Sequence, residues 1–133
     1  MKAKLWTDGG ARGNPGPAAV AAVASDPGAG VLAERKAYIG EATNNVAEYR
    51  ALLLGLELAR ELGAASVEVI NDSELVARQI EGRYKVKHPG LKPLHVEAMK
   101  ALRQFGSWSV RSVRRESNER ADQLVNEALD EAR

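Results

Sequence analysis

Hydrophobic and polar positions alternate with a period of two over residues 1–7, 66–71 and 108–113, and residues 18–25 and 31–39 form two further runs, the first small and apolar, which together predict five β-strands. Between 46 and 62 the spacing changes. Ala47, Ala51, Leu54, Leu58 and Leu62 recur at steps of four and three, the stripe of an amphipathic helix that Gly63 closes. A short helix follows from 72 to 81, closed by Gly82, and another spans 93–105 with Leu94, Ala98, Ala101, Leu102 and Phe105 on its apolar side. The last helix, 117–132, buries Ala121, Leu124, Val125, Ala128 and Leu129. The turn Asp26-Pro27-Gly28-Ala29-Gly30 links the second and third strands, whereas residues 40–45 interrupt the pattern before the long helix.

Three hairpin-linked strands followed by strand-helix units predict an α/β domain with a mixed five-stranded sheet and helices on both faces, since parallel crossovers need covering helices. At 133 residues the chain fits a single domain over 1–133. No internal repeat or long linker divides it.

In sheets of this type ligands bind beyond the carboxyl ends of the strands. Asp8 is placed where the first strand should end, before Gly9, Gly10, Gly13, Asn14, Pro15 and Gly16, a run of turn formers that permits close approach of a ligand. Asp72 follows the fourth strand in the same way. Glu48 comes three residues after Asn45, the spacing of a capping box, and Asp72 stands where a helix N-cap would stand. Each of these acids therefore has a purely structural reading beside a functional one. Asp122 is harder to explain structurally, because it lies at three- and four-residue spacing from Val125 and Leu129, on the edge of the inward stripe.

Composition narrows the chemistry. The chain has no cysteine and only two histidines, His88 and His95, so thiolate chemistry is excluded and a metal site would use oxygen ligands, which suits hard cations such as magnesium or manganese. Both histidines are read as surface residues, and Trp6 and Trp108 as strand residues. Four converging carboxylates would repel one another unless divalent cations sat among them, the arrangement used for phosphoryl displacement. The net charge is only +1, and no apolar run is long enough for a signal peptide or a membrane span, so cytoplasmic localisation and no membrane partner are expected.

TDGGARGNPGP around Asp8, TNNVAEYRAL around Glu48, NDSELV around Asp72 and ESNERADQLVNEA around Asp122 resemble the four signature segments of type 1 ribonuclease H, in the family's order. The short form is similar to its compact prokaryotic and archaeal-like branch. The resemblance implies the ribonuclease H-like fold and endonucleolytic cleavage of the RNA strand of RNA/DNA hybrids, leaving 5'-phosphate and 3'-hydroxyl ends. It implies that Asp8, Glu48, Asp72 and Asp122 bind two Mg2+, with Mn2+ as a substitute, and that Asn14, Thr43, Asn44 and Asn45 contact the hybrid. Double-stranded RNA as a further substrate and a hybrid-binding module without catalysis are the alternatives, and a monomer is expected. Where many members carry a histidine loop before the last acid, this chain has Arg114 and Arg115, and Arg115 is the candidate substitute. A basic protrusion found in some members is replaced by residues 82–93, where Arg83, Lys85 and Lys87 would offer a smaller phosphate-binding edge.

Overall fold

The computed structural model describes residues 1–132. Its elements are β1 (Lys2–Ala11), β2 (Gly16–Asp26), β3 (Gly30–Ala42), α1 (Asn44–Glu61), β4 (Ser66–Asn71), α2 (Glu74–Ile80), α3 (Lys92–Leu102), β5 (Ser107–Ser112), a 3-10 turn (Arg115–Asn118) and α4 (Glu119–Glu131). The strands form one sheet in the order β3-β2-β1-β4-β5. The hairpin strands β1, β2 and β3 pair antiparallel, and β4 pairs parallel with both β1 and β5. The mixed five-stranded α/β sheet expected from the sequence is thus the observed fold.

Alternation along the strands sends side chains to two different cores. Ala3, Leu5, Val67, Val69 and Val110 pack with Tyr49, Leu52 and Leu56 of α1, with Val76 and Ile80 of α2 and with Ala98 and Leu102 of α3. The opposite face carries Ala19, Ala21 and Val23 against Leu124, Val125, Ala128 and Leu129 of α4. Helices therefore cover both faces, and the five residues expected to bury α4 are all buried. On α1 the buried face is wider than the expected stripe, taking in Tyr49, Leu52, Leu56 and Ala59, while Leu54 and Leu62 lie at its half-buried margin.

The structure corrects three boundaries that bear on the site. First, β1 does not end at Thr7. It continues through Gly9 and Gly10, which pair with Val20 and Ala19 of β2, whereas its pairing with β4 stops at Trp6 and Ile70. Asp8 therefore sits inside a strand, just past the point where the neighbouring parallel strand has ended. Glycine is required at position 9, because a Cβ there would lie 2.2 Å from the Ala47 carbonyl oxygen. The first turn of α1 rests directly on the β1 backbone.

Second, β3 runs on to Ala42 through Gly40, whose φ of +79° suits glycine. Third, α1 begins at Asn44, with Thr43 as its N-cap accepting from the Val46 N–H at 3.2 Å. Among the described residues no helix is long and apolar enough to cross a membrane.

Candidate active site

β1, α1 and the segment after β4 bring Asp8, Glu48 and Asp72 together from two faces of the sheet. Gly10 faces Val125 of α4, and alternation places Asp8 on that same face. Glu48 arrives from α1 on the other side, and its Oε1 accepts the Gly9 N–H at 2.6 Å. This bond displaces the capping-box role that its spacing from Asn45 had suggested. Asp72 follows β4 immediately, but the cap of α2 is Ser73, whose Oγ accepts from the Val76 N–H at 3.2 Å. Asp72 is thus released from capping. Asn71, buried at 2% exposure, holds this turn by accepting from the Ser73 N–H at 3.2 Å through its side chain, while its backbone carbonyl takes the Val113 N–H at 2.7 Å.

Carboxylate oxygens of Asp8, Glu48 and Asp72 lie within 4.8 Å of one another. Asp122 stands slightly apart, half-buried on the first turn of α4, and lines the same open cleft of about 490 Å³. Asp8 and Glu48 are 6% and 8% exposed, so their charges are poorly solvated and press on each other. Burial, and then the charges of Glu48, Asp72 and Asp122, push the Asp8 carboxyl up to about 10. Burial and Asp72 push Glu48 up to about 7, against the Gly9 N–H, Asp8 and Arg115, which favour its charged form. Burial likewise raises Asp72, opposed by a hydrogen bond with Asp8 and by Arg115.

A cluster that must hold protons to coexist is short of positive charge. Its donors are all hard carboxylate oxygens, several from different elements and open to the cleft, which fits a divalent cation of the magnesium class.

The substrate-contact candidates separate. Asn44 and Asn45 line the cleft. Asn14 and Thr43 do not appear on its wall. Asn14 accepts the Asn44 N–H at 3.1 Å, and Asn44 in turn accepts the Ala11 N–H at 2.8 Å, so these side chains tie the β1–β2 hairpin to the start of α1. Arg115 lines the cleft, with its Nε 3.9 Å from Asp72 Oδ2 and a side chain 80% exposed. Arg114 is exposed. His88 is exposed as expected, but His95 is half-buried, its ring edge-on to Tyr49 at 6.4 Å and its Nε2 3.2 Å from the Gln79 carbonyl.

Two residues at the site escaped the sequence reading. Asn118, 2% exposed, makes no cap bond to α4 but donates its Nδ2–H to the Thr7 carbonyl at 2.9 Å, fixing the start of α4 beside Asp8. The available signal was its four-residue spacing from Asp122, which puts both on one face. Arg12, also on the cleft wall, is pinned to α4 through Asp130 and Asn126.

The Reverse transcriptase-like family matches residues 6–128. The chain is 47% identical over 127 residues to ribonuclease HI of Halobacterium salinarum, an alignment covering 96% of this chain and 64% of that protein. The crystal structure of RNase H1 from Halobacterium salinarum NRC-1 superposes with a TM-score of 0.96 at 44% identity, covering 98% of this chain and 99% of that one. The chain belongs to the ribonuclease H family, type 1. Another ribonuclease H, LC11-RNase H1 solved in complex with RNA/DNA hybrid, superposes with a TM-score of 0.93 at 46% identity, covering 98% of each chain. The bifunctional protein Rv2228c of Mycobacterium tuberculosis is 50% identical over 133 residues. That alignment covers 99% of this chain but 36% of Rv2228c, so this ribonuclease H chain spans about a third of its length.

Proposed function

We propose that this chain cuts the RNA strand of RNA/DNA hybrids endonucleolytically, with Asp8, Glu48, Asp72 and Asp122 as its catalytic carboxylates. The observation that carries the reading is the convergence of three carboxylates within 4.8 Å, with Asp122 on the same cleft wall. Family membership and a neighbour solved with RNA/DNA hybrid support the substrate class.

Asp8 is central, with oxygens of Glu48 and Asp72 within 4.8 Å of its own, and with them would hold Mg2+, or Mn2+ in its place. Asp122 would hold the second ion from the α4 side, and the Gly9 N–H keeps Glu48 aimed at the cluster. Bound there, the cations supply Lewis-acid activation of water and stabilisation of the leaving oxygen, giving 5'-phosphate and 3'-hydroxyl ends. Asn44 and Asn45 on the cleft wall present amides, which donate and accept, to sugar hydroxyls and base edges; 2'-hydroxyl contacts are what distinguish RNA from DNA. Asn14 and Thr43 act beside them by setting the hairpin and the helix start. The exposed guanidinium of Arg115 beside Asp72 takes the place of the histidine that other members carry.

The test is cleavage of an end-labelled RNA/DNA hybrid with magnesium, run beside Asp8→Asn, an EDTA control and a double-stranded RNA substrate. Internal cuts in the RNA strand, lost in both controls, are the expected result. Binding without cleavage in magnesium or manganese would refute the catalytic reading and leave a hybrid-binding module. Cleavage of the RNA duplex at a similar rate would show a less selective nuclease.

A further inference from the structure

A cleft walled by four carboxylates repels a phosphodiester backbone, so the cations on its wall matter. Among the described residues lining it there are two, Arg115 and Arg12. Arg12 follows directly after β1, four residues beyond Asp8, about 13 Å of extended chain at most. Its guanidinium is fixed from behind by α4. Nη1 donates to Asp130 Oδ1 at 2.7 Å and Nη2 to Asn126 Oδ1 at 3.3 Å. These bonds use two of the five N–H donors of an arginine and leave the others for a ligand. The side chain remains 38% exposed and its partner Asp130 58% exposed, so the ion pair itself contributes little to stability. What it provides is orientation, since a guanidinium held along one edge presents the other at little further entropic cost.

We infer that Arg12 is a phosphate-binding residue for the RNA strand, held by Asp130 and Asn126 at the α4 wall of the cleft so that it grips a phosphate neighbouring the one at the acids. This rests on the proposed hybrid substrate. Arg12 and Arg115 line the cleft from different segments of the chain, so the strand is held by protein cations as well as by the metal ions.

The test separates binding from chemistry. In the Asp8→Asn background, affinity for a fluorescent RNA/DNA hybrid is measured by anisotropy across a sodium chloride series, with thermal melting to confirm folding. Adding Arg12→Ala should weaken binding by about 3- to 10-fold and make the slope of log K against log salt shallower by about 0.9, the loss of one phosphate contact. Arg12→Lys should keep the slope and recover part of the affinity. Arg103→Ala, at the C-cap of α3 and not on the cleft wall, should change neither. Weaker binding with an unaltered slope would show that Arg12 only braces α4 and would overturn the inference, as would no change. If wild-type protein fails to cleave while the slope still shifts, the nuclease reading falls and the phosphate contact stands. No hybrid binding by the Asp8→Asn protein would overturn both.

Discussion

Asp8→Asn should abolish cleavage and at the same time stabilise the protein once divalent cations are removed. At pH 7 the unfolded chain carries Asp8 ionised, with an ordinary value of 3.8, whereas the native cluster holds its carboxyl protonated. Taking up that proton costs about 1.4 kcal/mol for each pH unit above 3.8, or roughly 4 kcal/mol at pH 7. Allowing about half for water in the open cleft leaves about 2 kcal/mol, which for a domain of this size is a rise of about 8 °C in Tm. An asparagine avoids the cost, and its amide can still donate to Glu48 as the shared proton does.

The sign follows from the direction of the shift. A native pKa raised above the unfolded one means stability that is complete below about pH 4 and is lost as pH rises toward 10. The advantage of the variant in EDTA should therefore shrink between pH 7 and pH 5. Magnesium should raise the Tm of the wild type more than that of Asp8→Asn, because it stabilises whichever protein binds it more tightly. Differential scanning calorimetry in EDTA and in magnesium at both pH values checks this. A variant that melts at or below the wild type in EDTA at pH 7, or whose advantage does not change with pH, would refute the electrostatic account of the cluster.

Gly9→Ala places a methyl group 2.2 Å from the Ala47 carbonyl oxygen and should cost about 3 kcal/mol in a urea melt, because backbone must move to admit it. Loss of the buried bond from Asn118 to the Thr7 carbonyl in Asn118→Ala should cost about 1 to 3 kcal/mol and lower kcat more than it raises KM for hybrid. Thr43→Ala, which removes the cap of α1, should cost about 1 kcal/mol by thermal melting. Arg115→Ala should lower kcat several-fold, and Arg115→His should restore part of it; full activity in the alanine variant would remove Arg115 from the mechanism.

The sequence by itself determined the order and type of the elements, because periodicity depends on which face each residue turns to its own neighbours. Residues 66–71 alternate and form β4 over those same residues, and the stripe from Ala121 to Leu129 is the face α4 buries. It also set four acids apart from the rest, since carboxylates at strand ends and on the edge of a buried stripe are costly without a partner. Only the tertiary structure decided what those acids do locally. Glu48 is freed from capping by an N–H 39 residues away, and the start of α4 is set by a bond spanning 111 residues. Asp8 lies within a strand because its pairing with β2 outlasts that with β4, a difference no local window contains. Arg12 reads as an ordinary loop cation until α4 folds back and fixes it on the wall of the cleft. Contacts of this kind depend on where separate elements pack, and local periodicity carries no information about that.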